Sequence, residues 1–114
     1  MIVKTTALFD KWLNKIKDKR VLIAVHGKLD KIKNDSHLGK IYPVREGISE
    51  IKIEMGAGYR LYFNVYIKDE NIIFLSAGDK STQNEDIEKA ILLLKEFKKE
   101  MTNEQTSNNY KRRR

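Results

Sequence analysis

The sequence contains no cysteine, which excludes disulfide bonds, thiolate nucleophiles and zinc sites built on sulfur. It holds one proline and six glycines in 114 residues, too few for a linker-like or collagen-like chain. Apolar runs stay well below the roughly 18 residues that a membrane-spanning helix needs, and residues 1–6 lack the apolar core of a signal peptide. We therefore predict one cytoplasmic domain with a modest core and no membrane association.

Charge is plentiful and unevenly distributed. Basic residues outnumber acidic residues 23 to 16, which gives a formal net charge of +7. Residues 1–83 carry +5, residues 84–100 carry −1 and residues 101–114 carry +3. A basic body favours a polyanionic partner, but the same excess also keeps an ordinary small domain soluble. Charge alone leaves both interpretations open.

Helical spacing of apolar residues appears in three segments. Thr6 can cap a first helix, and Asp18 can cap a second that runs from about Lys19 to Ile32, which together predict a helical hairpin. Residues 82–85 read as a capping box for a third helix that ends near Met101. We interpret residues 1–101 as the domain and the basic, aperiodic residues 102–114 as a flexible tail.

Strand patterns fill the middle of the chain. Residues 2–5 predict a short edge strand, and Pro43 marks an edge or a bulge. Alternation over residues 51–67 predicts a hairpin, and the unbroken apolar run of residues 72–75 is typical of a strand buried on both faces. The predicted fold class is α+β: a mostly antiparallel, twisted sheet with an N-terminal helical hairpin and a C-terminal helix.

The alternation also predicts which side chains share a face of the sheet. If the hairpin turns about Ala57, Ile51 lies opposite Phe63, and Glu54 lies opposite Arg60. One face then builds the core with the helices. The other gathers basic and aromatic side chains, with Lys80 at the exit of the neighbouring strand: Lys52, Arg60, Tyr62 and Tyr66.

Such a face suits RNA cleavage without a metal ion or cofactor. The 2′-hydroxyl must lose a proton, the charge on the phosphorane must be stabilised, and the leaving 5′-oxygen must gain a proton. Arginine can pair with phosphate oxygens at two points, and lysine acts as a point charge. Tyrosine can stack on a base. The predicted catalytic residues are Lys52, Arg60 and Lys80, and the predicted RNA contacts are Tyr62, Tyr66 and Arg45.

Each of these residues also has an ordinary structural interpretation. Arg60 could be a cross-strand ion-pair partner of Glu54. Asp79 could cap or brace the turn before the last helix. His26 is predicted to lie at the surface of the second helix and His37 in a loop. By spacing alone, the basic face is a weak motif.

Three segments resemble one known group: Phe9–Leu13, Gly58–Phe63 and the Gly-Asp-Lys-Ser-Thr-Gln run of residues 78–83. They are similar to the RelE/ParE superfamily, and within it to the HigB-like addiction-module killer proteins, over about residues 5–100. The resemblance implies a RelE-like fold and a small bacterial toxin of a type II toxin–antitoxin pair. Nuclease relatives cut messenger RNA in the ribosomal A site without a metal.

The resemblance also assigns roles by position. Arg60 matches the strand arginine that contacts the scissile phosphate, and Lys80 matches a basic position near the exit of the last strand. Lys52 falls where many relatives have arginine. Some HigB-like relatives use a histidine and an aspartate, but no histidine lies at a matching position here, so the general base is unassigned.

The implied partners are a cognate helix-turn-helix antitoxin, the ribosome and messenger RNA, with no small-molecule cofactor. Two alternatives remain open at this level. One is a ParE-like inhibitor of DNA gyrase, which shares the fold and cuts no RNA. The other is a degenerate relative that serves as a non-catalytic binding module.

Overall fold

The computed structural model describes residues 1–67 and 70–112, with side chains described through Thr102, so Lys68 and Asp69 lie outside it. Within these ranges the elements follow in this order: β1 (Ile2–Thr5), α1 (Ala7–Lys15), α2 (Lys19–Asp35), β2 (Tyr42–Arg45), β3 (Ile48–Ile53), β4 (Tyr59–Tyr66), β5 (Asn71–Asp79), a 3₁₀ turn (Lys80–Thr82) and α3 (Gln83–Arg112). The predicted α+β class is confirmed.

The five strands form one sheet in the order β1-β5-β4-β3-β2. Neighbouring strands are antiparallel except β1 and β5, which are parallel and pair Val3 with Ile72. The predicted edge strand at residues 2–5 is confirmed. The interpretation of Pro43 is confirmed as well, because β2 is the other edge and its register shifts between Pro43 and Arg45.

Local side-chain chemistry starts the first two helices as the sequence predicts. The Thr6 hydroxyl accepts a hydrogen bond from the Phe9 amide at 3.0 Å, and the Asp18 carboxylate accepts one from the Arg20 amide at 2.9 Å. Both helices pack on the same face of the sheet. Their buried side chains share one core cluster with those of the strands, including Phe9, Leu13, Val21, Val25, Leu61 and Phe63.

The opposite face of the sheet is covered by α3. A second core cluster joins Tyr62, Ile73 and Leu75 of the sheet to Ile87 and Leu94 of α3. The prediction that this face is an open working face is therefore wrong over most of its area. The apolar stripe of α3 needs a surface to cover it, and β5 offers apolar side chains on both of its faces.

The register of the β3–β4 hairpin also differs from the prediction. Ile51 pairs with Leu61 and Lys52 with Arg60, a shift of two residues that leaves every side chain on its predicted face. The strand ends earlier because the Met55 amide bonds to the Ile53 carbonyl at 3.0 Å, which starts the turn. Gly56 and Gly58 complete the turn with φ of 61° and 78°, values that suit glycine.

Helix α3 extends beyond its predicted end. Its backbone runs to Arg112, whereas the sequence predicts an end near Met101 and an unstructured segment after it. Helix propensity does not account for the extension, because residues 102–112 are rich in Asn, Thr and Ser. The division into a domain of residues 1–101 and a tail of residues 102–114 stays a prediction.

Candidate phosphate-binding cleft

An open cleft of about 380 Å³ lies where the β3–β4 turn meets the end of β5. Its lining includes all three of the predicted catalytic residues: Lys52, Arg60 and Lys80. Residues that are 28 positions apart in the sequence therefore border one space. The catalytic roles stay predictions, but the structure brings their side chains together.

Lys52 and Arg60 lie directly opposite each other on β3 and β4. Opposed residues of antiparallel strands point to the same face, and like charges in that position repel. An anion bound between them would relieve the repulsion. The Lys52 ammonium also lies 4.4 Å from the centre of the Tyr42 ring, so β2 helps to hold it in place.

Arg60 has a buried counter-ion that the sequence prediction assigns to the wrong glutamate. Its Nε lies 3.5 Å from Oε2 of Glu50, and the two side chains are only 13% and 8% exposed. Glu54, the predicted partner, instead follows β3 in the turn and lines the cleft. The two-residue shift in register explains the exchange, because Glu50 is now diagonal to Arg60 on the same face.

The segment around Lys80 is built by its neighbours. Asp79 accepts hydrogen bonds from the Ser81 hydroxyl and, at 2.8 Å, from the Ser81 amide. These bonds confirm its predicted bracing role, and together they hold the pKa of its carboxyl below the ordinary value. The Thr82 hydroxyl donates to Asp86 at 2.7 Å. The predicted capping box is therefore wrong in detail, since Thr82 bonds to a side chain one turn inside α3.

Gly78 provides the space for this arrangement. A Cβ at position 78 would overlap the Asp86 carboxylate and lie 2.7 Å from the Thr82 hydroxyl oxygen. On the other side of the cleft, Gly58 approaches the Lys80 side chain, whose Cε would lie 3.5 Å from a Cβ there. Gly58 and Gly78 thus let the turn, β5 and α3 meet closely around Lys80.

Tyr62 is not available for RNA contact. Its side chain is fully buried beneath α3, so the prediction that it stacks on a base is wrong. Burial raises the pKa of its hydroxyl, and the nearby Glu50 carboxylate raises it further. The hydroxyl has no hydrogen-bond partner among the described residues. The alternation of β4 places Tyr62 on the correct face, but that face is covered here.

Tyr66 and Arg45 also lie away from the cleft. The Tyr66 ring packs edge-on against Phe97 with centroids 5.0 Å apart, and burial raises the pKa of its hydroxyl. Arg45 is exposed on β2 and forms ion pairs with Glu46 and with Glu88 of α3. Its hydrogen bond to Glu88 raises its pKa. The structure therefore does not join these two residues to Lys52, Arg60 and Lys80.

Three functional candidates were missed from the sequence. Glu50 forms an ion pair with Arg60, and the Tyr42 ring contacts the Lys52 ammonium. Glu54 is the one carboxylate among the lining residues of the cleft. The alternation alone could have placed Glu50 and Glu54 on the face of Arg60, but the choice between them needed the register. Both histidines are exposed, and neither lines the cleft.

The helices of the described part of the chain include none that combines the length and the apolar character required to traverse a bilayer. Within the same residues, no three His, Asp or Glu side chains gather as ligands for a metal ion.

Comparison with known proteins places the chain in a family. No protein-family model matches it. A protein of Haemophilus influenzae is 40% identical over 98 residues, which cover 83% of this chain and 94% of that protein. The chain belongs to the same family as this protein. The relative is itself uncharacterised, so the match supplies no activity.

Solved structures identify the fold as that of RelE. A double mutant of the Escherichia coli toxin RelE in the free state matches with a TM-score of 0.60 and 18% identity, over 79% of this chain and 93% of that one. The intact E. coli RelBE toxin–antitoxin complex matches with a TM-score of 0.54 and 19% identity, over 68% of this chain and 94% of that one. The RelBE2 toxin–antitoxin complex of Mycobacterium tuberculosis matches with a TM-score of 0.51 and 20% identity, over 70% of this chain and 91% of that one. The predicted RelE-like fold is confirmed, and the narrower HigB-like assignment stays a prediction.

Proposed function

We propose that this chain is the toxin of a type II toxin–antitoxin pair and that it cleaves messenger RNA on the ribosome. The observation that carries the proposal is the cleft in which Lys52 and Arg60 oppose each other and Lys80 joins them. Such a cluster is stabilised by an anion with several oxygen atoms, which is what a phosphodiester offers. The RelE fold supports the same conclusion at the level of architecture.

In the proposed reaction the 2′-hydroxyl attacks the neighbouring phosphorus, a 2′,3′-cyclic phosphate forms, and the 5′-oxygen leaves with a proton taken from water in the open cleft. Arg60 pairs with the non-bridging oxygens, where charge develops, because Glu50 holds its guanidinium at the cleft wall. Lys52 and Lys80 add point charges. We assign the proton acceptor to Glu54, the carboxylate that lines the cleft beside them.

The proposed partner is a helix-turn-helix antitoxin, as the resemblance to the HigB-like group implies. Two of the matched structures are complexes of a toxin with its antitoxin, which supports an antitoxin for this chain as well. The ribosome and messenger RNA are the proposed target.

The proposal can be tested by inducing the chain in a host without the antitoxin and mapping new 5′ ends of messenger RNA. Lys80→Ala should lower the frequency of cleavage at least tenfold, whereas Lys95→Ala, on an exposed part of α3 away from the cleft, should not. Growth arrest without new 5′ ends, accompanied by altered DNA supercoiling, would show the gyrase alternative instead. Absence of any growth defect would favour the non-catalytic alternative.

Arg60 needs a more careful variant, because removing one partner of a buried ion pair costs about 3–5 kcal/mol and can unfold the chain. The double variant Arg60→Met with Glu50→Leu replaces both partners by apolar groups, which is often neutral or stabilising. It should fold and fail to cleave. A folded double variant with wild-type cleavage would remove Arg60 from the mechanism.

Glu54→Gln tests the proton acceptor. The substitution keeps size and removes basicity, so cleavage should fall about 10²–10⁴-fold while binding of the ribosome changes little. Glu46→Gln is the matched control, since Glu46 is exposed and does not line the cleft. Equal activity of the two variants would assign the proton transfer to another group.

A further inference from the structure

A second cleft of about 460 Å³ lies next to the candidate phosphate-binding cleft, between α1, the end of β5 and the start of α3. We call it the α1 cleft. Its notable lining residues are two aromatic and three basic side chains: Trp12, Tyr59, Lys11, Lys15 and Lys89. Nothing in the proposed cleavage chemistry uses them.

Tyr59 lines both clefts, so they are neighbours at this end of the sheet. Tyr59 is the first residue of β4, and its neighbour in the chain is Arg60. On the far side, Asp79 lines the α1 cleft and the adjacent Lys80 lines the phosphate-binding cleft. The side chains of Tyr59 and Arg60 point to opposite faces of the sheet, so a chain bound in both clefts would pass around the start of β4.

The aromatic side chains form a partly exposed platform. The rings of Trp12 and Tyr59 meet edge-on with centroids 6.0 Å apart, and both are half-buried. Trp12 is fixed from behind by Phe9, at 5.7 Å between ring centroids. Stacking of a nucleobase on such a platform tolerates any base, because every base has a π-face.

The charges of the α1 cleft suit the same ligand. Lys11 and Lys15 are exposed and lie one helical turn apart on α1. The two carboxyl groups in the lining accept hydrogen bonds, Asp79 from Ser81 and Asp86 from Thr82, and Lys89 acts electrostatically on Asp86. Lys11 and Lys15 are therefore the lysines left to face an anion.

We propose that the α1 cleft is a second RNA subsite, which binds the nucleotide next to the scissile phosphate. The base stacks on Trp12 and Tyr59, and Lys11 and Lys15 contact the phosphate. The proposal rests on the proposed function, since it places this nucleotide through Tyr59, which also lines the cleft of Arg60. An acidic peptide would use the lysines but would have no need of the aromatic platform.

Trp12 is the single tryptophan of the chain, so its fluorescence reports on this cleft directly. The full chain is titrated with a short single-stranded oligoribonucleotide at low salt. We expect saturable quenching whose apparent affinity falls as salt rises, because phosphate contacts release counterions. The double variant Lys11→Glu with Lys15→Glu should weaken binding at least tenfold.

The matched control is Lys95→Glu with Lys99→Glu, an exposed pair with the same spacing on α3 and outside both clefts. Equal weakening by the two double variants would overturn the subsite. So would an absence of quenching by the oligoribonucleotide, or equal quenching by poly-glutamate.

Mapping messenger RNA 5′ ends for the same variants separates this proposal from the proposed function. Cleavage by the wild-type chain without any Trp12 response to RNA would remove the subsite and leave the nuclease. Saturable, lysine-dependent quenching without cleavage in the cell would remove the nuclease and leave an RNA-binding cleft.

Discussion

At the scale of single residues, Gly78 is the position where a methyl group would do most harm. An alanine Cβ would overlap the Asp86 carboxylate, which is buried and bonded to Thr82. We expect Gly78→Ala to lower the free energy of unfolding by about 1–3 kcal/mol, as overpacking usually does. Urea unfolding measures the change.

Gly27 supplies the control for this substitution. It lies inside α2, and a Cβ there would meet nothing within 4 Å. Gly27→Ala should stabilise the chain by about 0.5–1 kcal/mol, because alanine favours a helix interior more than glycine does. Destabilisation by both alanines would show that the space around Gly78 is not the cause.

Tyr62 tests whether a buried hydroxyl has a function. Since its oxygen has no partner among the described residues, Tyr62→Phe removes an uncompensated polar group. We expect a change in stability of at most about 1 kcal/mol, in the stabilising direction, and unchanged messenger RNA cleavage. A large loss of cleavage in a stable variant would return Tyr62 to the mechanism.

Asp86 makes stability depend on pH. Burial raises the pKa of its carboxyl above the value of about 4 expected in the unfolded chain. The folded state therefore holds the proton to higher pH, and stability falls as pH rises through the window between the two values. Asp86→Asn should reduce this slope in urea unfolding series at several pH values. An unchanged slope would assign the dependence to other groups.

At the scale of elements, α3 both closes the second core and positions Lys80. Leu94 is 3% exposed in that core, whereas Leu92 on the outer side of the helix is 61% exposed. Leu94→Ala should cost about 2–5 kcal/mol by leaving a cavity, and Leu92→Ala less than about 0.5 kcal/mol. Thermal and urea unfolding of the pair measure the contrast.

The secondary-structure elements also show which features of the fold could be predicted from the sequence. Alternation predicted which side chains of β3 and β4 share a face, because that property depends only on a period of two. It did not predict the register, because the turn is set by backbone bonds at Met55 and Gly58 that have no clear signature in composition. The predicted ion pair of Arg60 with Glu54 depended on the register, and it was wrong because the register was wrong.

The position of α3 was predictable in principle. The apolar run of residues 72–75 indicated a strand buried on both faces, and a strand of that kind needs cover on each side. The helical hairpin can cover only one face of the sheet, so the last helix must cover the other face. Tyr62 and Tyr66 then belonged to a core, while Lys52 and Lys80, near the end of the sheet, stayed accessible.

At the scale of the whole molecule, the positive charge that favours RNA lies in two parts of the chain. Residues 1–83 carry +5 and residues 101–114 carry +3. Deleting residues 102–114 should weaken association with ribosomes mainly at low salt, because contacts of exposed charges are screened as salt rises. Sedimentation with ribosomes over a salt series measures it. An equal loss at high salt would indicate a specific contact instead.

The parallel pairing of β1 with β5 limits the order in which the fold can form during synthesis. A chain is made from its amino terminus, so Val3 has no strand partner until Ile72 has emerged. Lys80 follows, and the helix that buries Tyr62 is made last. The cleft is therefore incomplete on a nascent chain until β5, Lys80 and α3 have all been made.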